Sequence, residues 1–519
     1  MTRRLLLLVG SLVLHTLAMP PWSLGALAWV ALVPLLLALD GLCARAGALV
    51  GLAWGTAAIW GVGYWVPAAL TSYYAQPLWF GYAFAFVASV VFAGSYFAGF
   101  GACVCWLTPR IAPLRRIFLV PALWVAWELA RARLLTGEPW LLLGYALGPM
   151  PAAVQAADLG GVHLLSYVIV LVNAALAETV RAWPSRRTMA RRAAPAVTSL
   201  LVLHGYGLWR LEAPLPDRPS LALTVIQGNN DMGNQWREDF YGAGLERYLQ
   251  MSTDAGRRGQ PQLLVWPEAA VTFFLDRDAA RFGAIARTLS SIGADLVVGG
   301  PYAEGWGESP VYYNSAFYVT RAGELKGRYD KVHLLPFAEY FPLRTIELLR
   351  RKFEKVRYFT PGADTVLLDT RAGKIAVVIC FEGIFPGLVR QQMARGANLL
   401  VNLSNDAWLG PGAGPEQHLA MVRLRAVENR TWVVRATTTG ISAIIDPWGR
   451  IAGRTGFLET AWLDGRVVPM RVVTLYQRFG DVFAWSCVLA TLAAACWKLT
   501  SGGSASAHEQ REPRPGRAA

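Results

Sequence analysis

Residues 375–386 read IAVVICFEGIFP, an apolar run of β-forming residues that ends at Cys380 and is followed by Phe, Glu and Gly. Such a run predicts a buried strand with the cysteine at its carboxyl end. The chain has 6 cysteines, and the other five lie in or beside long apolar segments near its two ends: Cys43, Cys103, Cys105, Cys487 and Cys496. Cys380 has neither a local disulfide partner nor a CxxC spacing for a metal. It is therefore either a small buried hydrophobe or a nucleophile that needs a free thiol.

The composition indicates a membrane protein with one large polar segment. The 519 residues are 54% hydrophobic and 16% charged and include 21 Trp, which is too apolar for a soluble protein of this size. We predict about eight α-helical spans, near 5–19, 24–40, 46–66, 79–107, 117–131, 163–180, 193–211 and 481–498. The first seven fall within residues 1–212 and the last within 478–500. Residues 213–477 are predicted to form one globular domain, and 501–519 a disordered tail.

The basic residues predict the orientation in the membrane. The formal net charge is +14, and Arg and Lys residues flank the predicted spans at alternate ends, whereas the short loops 20–23 and 67–78 contain neither. The positive-inside rule therefore places both termini in the cytoplasm and the large domain outside. Because topology explains much of the basic excess, we predict no nucleic-acid partner.

Residues 213–477 alternate predicted strands with predicted helices. The strand candidates are 221–228, 262–267, 295–300, 314–320, 374–380, 398–404, 432–437 and 441–446. The helical stretches are 239–255, 277–292, 386–395 and 416–430. Buried strands separated by helices predict a layered α/β fold, in which ligand sites gather at the carboxyl ends of the strands.

Polar residues stand at several of these strand ends. They occur in LLVWPEAA, GRYDKVHLLPFAEYFP, VVICFEG and VNLSNDAWLG, and they are Glu268, Lys331, Glu339, Cys380, Glu382 and Asn405. Singly, each has an ordinary structural interpretation, such as a helix N-terminal carboxylate for Glu268 or a surface position for Lys331. A Glu, a Lys and a Cys at successive strand ends together predict a catalytic site.

These residues resemble a known set. The contexts WPE, YDKxHLxPFxE and CFE are similar to the nitrilase superfamily. Other segments resemble the apolipoprotein N-acyltransferase family: LAMPPWSLGALAWVALVPLLLAL, GEPWLLLGYALG, VIQGNNDMGNQW, NDAWLG and ENRTWVVRATTTGISAIID. The resemblance extends from about residue 10 to residue 495. Four positions depart from the family pattern: Phe381 stands for Tyr, Ala338 for Gly, Thr438 for Asn and Glu138 for Phe.

The resemblance implies an αββα domain with a catalytic triad of Glu268, Lys331 and Cys380. It implies that an acyl chain moves from a phospholipid to Cys380 as a thioester, and then to the N-terminal amine of the diacylglyceryl-cysteine of an apolipoprotein. It implies a bacterial inner membrane with the domain on the periplasmic side, and neither cofactor nor metal. We assign supporting roles to Glu339, Glu382 and Phe381. Substrate contacts are expected from Trp236, Trp140, Tyr145 and Asn405.

The chemistry suits these residue types. A thiol is mostly protonated at neutral pH, so a carboxylate such as Glu268 is needed to remove its proton. A cation such as Lys331 favours the thiolate and the tetrahedral oxyanion, and Glu339 is expected to hold that lysine. A Cys–His pair using His333 or His418 is the rival mechanism.

Two other classes of function stay open. A membrane-anchored amidase or hydrolase would pass the thioester to water, and a transporter or lipid-binding scaffold would need no intact triad. Two further sequence features bear on the membrane. The segment 344–359 predicts a basic amphipathic helix suited to anionic headgroups, and Glu128 is expected to pair with Arg131 one turn away.

Overall fold

A computed structural model describes residues 2–74, 76–135, 137–230, 241–305, 310–341 and 359–509. Two predicted features therefore lie outside the described residues. One is Trp236, and the other is the amphipathic segment 344–359, of which only the last residue is described.

The N-terminal part of the chain is helical. Its helices are α1 (Thr2–Ala18), α2 (Val33–Ala38), α3 (Ala44–Val62), α4 (Val66–Tyr74), α5 (Leu78–Ser89), α6 (Ser95–Leu107), α7 (Pro113–Arg133), α8 (Pro151–Val154), α9 (Ala157–Arg181) and α10 (Arg186–Leu211). A π-helical turn joins α5 to α6, so that one apolar helix runs from Leu78 to Arg110. Gly160 and Gly161 break α9, where a side chain on Gly161 would meet the ring of Tyr476.

Fewer helices qualify as membrane spans than the sequence predicted. Within the described residues, three are long and apolar enough on their own: Leu78–Arg110, Ala157–Arg181 and Val482–Thr500. A fourth candidate is the pair Ala44–Val62 and Val66–Tyr73, which bends by 56°. The predicted span 24–40 is a 3₁₀ turn, Gly25–Trp29, followed by the six-residue α2. Pro34 lies in the first turn of α2, where its missing N–H stops a helix from continuing through it.

Two six-stranded sheets form the next part of the chain. The strands are β1 (Leu221–Gln227), β2 (Leu263–Val265), β3 (Asp295–Glu304), β4 (Val311–Val319), β5 (Leu325–Asp330), β6 (Leu368–Thr370), β7 (Gly373–Ile379), β8 (Leu399–Ser404), β9 (Val433–Thr437), β10 (Ala443–Ile445), β11 (Ile451–Arg454) and β12 (Ala461–Val467). The first sheet has the order β12-β1-β2-β3-β4-β5 and the second β11-β10-β9-β8-β7-β6. The pairs β1–β2, β2–β3, β7–β8 and β8–β9 are parallel, so their carboxyl ends share an edge.

The remaining helices cover the outer faces of the sheets or follow them. They are α11 (Leu245–Gly259), α12 (Ala279–Ile292), α13 (Pro386–Ala394), α14 (Ala413–Asn429), α15 (Leu475–Phe479) and α16 (Val482–Glu509). The helix α16 continues past residue 500, where the sequence predicted a disordered tail to begin.

Strand alternation builds the layers. In the first sheet Ile226, Leu264 and Val298 pack against α11 and α12. The residues between them, such as Val225 and Val297, join the core shared with the second sheet. Successive side chains of a strand point to opposite faces, so each strand contributes to both cores. The result is the predicted αββα sandwich.

Gln417 of α14 joins this sandwich to the N-terminal helices. Its Nε2 donates to the carbonyl oxygens of Pro20 and Val62, each at 2.9 Å. Its Oε1 accepts from the indole nitrogens of Trp65 at 3.0 Å and Trp140 at 3.1 Å. We call these four hydrogen bonds the Gln417 junction. It is fully buried, and every hydrogen-bonding atom of the amide takes part.

Candidate active site

Three loops that follow strands bring the predicted triad together. Glu268 follows β2, Lys331 follows β5 directly, and Cys380 follows β7 directly. All three side chains are buried, and Lys331 is only 1% exposed. Burying a lysine is costly unless carboxylates surround it, and here two do.

A lysine between two glutamates forms the centre of the site. Lys331 Nζ lies 2.8 Å from Glu339 Oε2 and 3.7 Å from Glu268 Oε1. Asn314 of β4 holds both carboxylates, since its Nδ2 donates to Glu268 Oε1 at 2.8 Å and to Glu339 Oε1 at 2.7 Å. The backbone N–H of Asn405 donates to the other oxygen of Glu268, at 2.8 Å. Glu268 is thus fixed at both oxygens before any substrate binds.

The electrostatics leave the resting thiol protonated. Burial and the Glu268 carboxylate raise the pKa of Cys380 to about 12, although the Lys331 ammonium opposes them. Burial also raises the pKa of Glu268, while Lys331 lowers it. For Lys331, burial works against the charge, but Glu339 and Glu268 outweigh it and hold the pKa above its usual value. The resting thiol therefore keeps its proton, and a base must remove it during the reaction.

Cys380 adopts a backbone conformation that is rare for its type. Its φ is +53°, in the left-handed region that costs a non-glycine residue about 1–2 kcal/mol. Its carbonyl oxygen lies 3.2 Å from His418 Nε2 and 3.5 Å from Asn402 Nδ2. These contacts offset the strain and fix the direction in which the thiol projects.

A second buried cluster lies behind the nucleophile. Asp406 Oδ1 is 3.0 Å from His418 Nδ1, and Asp406 Oδ2 accepts from Arg435 Nη2 at 2.6 Å. Burial opposes ionisation of Asp406, but Arg435 and His418 outweigh it and hold the pKa of that carboxyl below its usual range. Burial and Arg435 lower the pKa of His418, against the pull of Asp406. A neutral His418 ring therefore supports the main chain at Cys380.

The rival histidine mechanism finds no support in the geometry. His418 contacts the carbonyl of Cys380. The ring of His333 packs against Phe385, with the ring centres 4.7 Å apart, and burial lowers its pKa. Neither ring is hydrogen-bonded to the Cys380 thiol within the part of the chain that the structure describes.

Glu382 has a scaffolding position. Its oxygens accept from the backbone N–H groups of Ile379, Val332 and His333 at 2.7–3.0 Å and from the Tyr329 hydroxyl at 2.8 Å. Burial raises its pKa to about 7, while the backbone donors favour the ionised form. Glu382 thus ties the loop after β5, which carries Lys331, to the end of β7, which carries Cys380.

The sequence comparisons cover both parts of the chain. A family model described as carbon-nitrogen hydrolase matches residues 223–470, and one described as apolipoprotein N-acyltransferase N-terminal domain matches residues 11–175. An apolipoprotein N-acyltransferase of Geobacter metallireducens is 38% identical over 511 residues, covering 96% of each chain. The chain belongs to the apolipoprotein N-acyltransferase family. Another member, from Pseudomonas paraeruginosa, is 33% identical over 91% of this chain and 92% of its own.

Solved structures from the nitrilase superfamily also match the sandwich. A Nesterenkonia amidase is 20% identical, with a TM-score of 0.38, over 53% of this chain and 99% of its own. A Saccharomyces cerevisiae member of the superfamily is 19% identical, with a TM-score of 0.39, over 52% of this chain and 97% of its own.

A cavity separates the N-terminal helices of this family member from its catalytic loops. It contains about 1140 Å³ of space unfilled by protein atoms, including its mouth, and its walls are mostly apolar. Phe381, the residue after the nucleophile, lines it together with Trp408 and Trp140. The catalytic loop contributes Leu335, Pro336 and Phe337, and α3 and α5 contribute the facing wall.

The predicted substrate-binding residues divide between this cavity and other places. Trp140 lines the cavity. Tyr145 does not, since it is buried elsewhere and its hydroxyl accepts from Arg425 Nη2 at 3.0 Å. Asn405 supports Glu268 through its backbone, and its side chain accepts from the backbone N–H of Ala407. The expected Glu128–Arg131 ion pair is wrong, because Glu128 Oε2 lies 3.8 Å from His163 Nδ1 and its other oxygen accepts from Leu143 N.

Sequence reasoning missed Asn314 and Arg435. Both are buried polar residues within otherwise apolar strands, Asn314 at 5% exposure and Arg435 at 0%. Such a position is itself a signal, because a buried polar group needs partners. The partners of each lie on other strands and loops, so their identity could not be read from local sequence.

Proposed function

We propose that the chain transfers an acyl chain from a phospholipid to the N-terminal amine of a diacylglyceryl-cysteine on an apolipoprotein, with Cys380 as the nucleophile. The observation that carries the mechanism is the buried Glu268–Lys331–Glu339 arrangement beside a single thiol. Family membership over 96% of the chain supports acyl transfer to apolipoproteins. A plain hydrolase is not favoured, because the match includes the family's N-terminal domain as well as the catalytic one.

The first half-reaction forms a thioester. Glu268 accepts the thiol proton as Cys380 Sγ attacks the ester carbonyl carbon of the phospholipid. Lys331 stabilises the negative charge that develops on the carbonyl oxygen, a kind of contribution that is commonly worth about 10²–10³ in rate. The ester C–O bond then breaks, and the proton on Glu268 passes to the departing lysophospholipid alkoxide. The enzyme is left as an acyl-thioester with Glu268 ionised again.

The second half-reaction consumes the thioester. The acceptor's ammonium first releases one proton to solvent. The resulting neutral amine attacks the thioester carbonyl carbon, and Glu268 accepts the proton that the amine then loses. The C–N bond forms, the C–S bond breaks, and the proton on Glu268 returns to the Cys380 sulfur. The products are the amide and the resting thiol, so that no external reductant or energy source is needed.

The apolar cavity suits a lipid donor. Its facing walls come from helices of the N-terminal part and from Leu335–Phe337 of the catalytic loop. A cavity bounded in this way gives an acyl chain a route from the bilayer to the thiol without crossing water. The protein belongs in the inner membrane, and we propose eight membrane-crossing segments, including those too short or too polar to qualify alone.

The positions of the arginines support a periplasmic catalytic domain. Arg181 pairs with Asp40 at 2.7 Å, and Arg4 donates to the carbonyl oxygen of Asp40 at 2.9 Å. Arg116 lies 3.5 Å from Glu178. Arg116 of α7 and Arg181 of α9 line one pocket together with Asp40, which Arg4 of α1 contacts. Pro20 and Val62, by contrast, meet the sandwich at the Gln417 junction. The positive-inside rule assigns the arginine cluster to the cytoplasm.

A mass measurement on the purified protein tests the proposal. Mixed with a phospholipid of defined acyl chains and no acceptor, the wild type should gain one acyl group on the Cys380 peptide, and hydroxylamine should release it. Cys380→Ala should gain none. Addition of a diacylglyceryl peptide should then convert the adduct into an acylated peptide. An unmodified wild type, with its lipid unconsumed, contradicts the nucleophile assignment, and discharge to water alone favours the hydrolase.

A further inference from the structure

Glu138 lines the cavity with an unusual set of contacts. Among the described residues that line that cavity, only Glu138 and Arg131 have an acidic or basic side chain. Glu138 Oε1 accepts from the backbone N–H of Trp140 at 3.2 Å. Its second oxygen accepts no hydrogen bond from any described residue, and no Lys, Arg or His nitrogen of the described chain lies within 4 Å of the carboxylate. Burial raises the pKa of this carboxyl and the Arg131 charge lowers it, but Arg131 forms no ion pair with it, so the second oxygen is open to a ligand that supplies a cation.

Arg131 complements Glu138 on the same wall. It is 4% exposed, and its Nη2 donates to the carbonyl oxygen of Trp140 at 3.2 Å. Its Nε is buried without a hydrogen-bond partner among the described residues. Unpartnered buried donors of this kind are rare in folded proteins, and this one lies behind the cavity wall and keeps the Arg131 charge beside Glu138.

The loop that holds the two side chains is itself well fixed. The backbone N–H of Glu138 donates to the carbonyl oxygen of Arg131 at 2.9 Å, and Trp140 is anchored in the Gln417 junction. A fixed carboxylate therefore adds a charged group to the wall of an apolar cavity and takes no part in the Glu268, Lys331 and Cys380 contacts.

We propose that Glu138 binds a primary ammonium group of a substrate through its free carboxylate oxygen. This subsite rests on the proposed function. Two substrates have the required chemistry. The acceptor carries an N-terminal ammonium next to a carbonyl, and a phospholipid with an ethanolamine headgroup carries an ammonium next to a phosphate. The subsite makes Glu138 a specificity-determining residue, acting in either the second or the first half-reaction.

Glu138→Gln isolates the charge. The amide oxygen of glutamine can still accept from the Trp140 N–H, so the loop keeps its hydrogen bond while the ammonium loses its counter-charge. Glu246→Gln is the matched control, since Glu246 is exposed on α11. Both are compared with the wild type as full-length protein in detergent.

The experiment measures the two half-reactions separately. Thioester formation is followed by intact mass with two donors of identical acyl chains, one with an ethanolamine headgroup and one with a glycerol headgroup. The isolated thioester is then titrated with a diacylglyceryl-cysteinyl peptide. We expect Glu138→Gln to weaken one of two steps about 10- to 100-fold, the usual effect of losing a charged hydrogen bond. The step is either discharge at low peptide concentration or acylation by the ethanolamine lipid alone.

Each outcome decides the proposal. A loss confined to discharge assigns the ammonium to the acceptor, and a loss confined to the ethanolamine lipid assigns it to the donor. Unchanged kinetics in both steps, or an equal loss with both lipids, overturns the subsite while leaving the proposed function intact. A wild type that forms no thioester overturns the proposed function itself, and the subsite with it.

Discussion

The amide nitrogen of Asn314 donates hydrogen bonds to both Glu268 and Glu339, so one neutral residue fixes the distance between the two carboxylates. Its N–H groups stabilise the ionised forms and therefore lower the pKa of Glu268. Burial acts in the opposite direction and dominates. The pKa of Glu268 is thus higher than that of an ordinary glutamate. A change in its hydrogen bonds is therefore expected to change the fraction of Glu268 that is ionised.

This balance gives a pH prediction. Glu268 works as a base only when ionised, so the rate of thioester formation should rise with pH as Glu268 loses its proton. In Asn314→Ala the carboxylate loses a donor, its pKa rises further, and the acidic limb should move to higher pH. At neutral pH we expect a loss of about 10- to 100-fold. The measurement is the pH dependence of kcat/KM, and a limb that stays in place or moves to lower pH contradicts the assignment.

At the scale of elements, Gly299 of β3 keeps the loop after β2 in place. A Cβ built on Gly299 would lie 2.6 Å from Glu268 Cα and 2.7 Å from the carbonyl oxygen of Pro267. Both neighbours are backbone atoms, so neither can turn aside as a flexible side chain can. Because Gly299 of β3 has no side chain, the loop after β2 can pack closely against it, and this contact holds Glu268 in position.

Gly299→Ala should consequently impair catalysis without altering any catalytic side chain. We expect a loss of about 10²-fold in thioester formation, since misplacement of a reacting group by about 1 Å has effects of this size. Overpacking should also destabilise the fold by about 1–3 kcal/mol. Gly387→Ala is the control, because a Cβ on Gly387 meets no atom within 4 Å. Activity at the wild-type level in Gly299→Ala, measured at a temperature where the variant is folded, argues against this role for Gly299.

The strands of the domain show which elements could be predicted from the sequence. All eight strand candidates of the domain are strands, because long runs of Val, Ile and Leu mark strands buried on both faces. Four of the twelve described strands, β5, β6, β11 and β12, are not among these candidates, because each is partly exposed and has no long apolar run. The span 24–40 was predicted from its apolar composition alone, and hydropathy does not show that Pro34 prevents one continuous helix there.

Some residues of the site could likewise be predicted from the sequence, and others could not. Glu268, Lys331 and Cys380 were predictable because each follows a strand, and the ends of strands are where ligand sites gather. That β2 and β5 of one sheet and β7 of the other bring them together was not visible in the sequence. Asn314 and Arg435 were not, because their roles depend on partners from strands distant in sequence. Tyr145 shows the limit of resemblance, since a matching motif does not determine which cavity a side chain faces.

At the scale of the whole molecule, the Gln417 junction is the contact on which the cavity depends. Gln417→Leu leaves two carbonyl oxygens and two indole N–H groups without partners, at about 1–3 kcal/mol for each one that stays buried. Trp65 and Trp140 also line the cavity, so we expect a lower Tm and a loss of about 10- to 100-fold in acyl transfer. Gln391→Leu, an exposed glutamine on α13, should change neither. Equal behaviour of the two variants contradicts a joining role for Gln417.

The junction also has a consequence for biosynthesis. Gln417 is 397 residues from Pro20 and 355 from Val62 in the sequence. Both residues whose carbonyl oxygens accept its hydrogen bonds are therefore synthesised long before Gln417 itself. At about 5–20 residues per second the larger gap corresponds to about 20–80 s of translation. During that time the first helices reside in the bilayer without their partner. The nascent chain is therefore expected to be inactive until residue 417 has been added, so an incomplete chain should not use up membrane phospholipids.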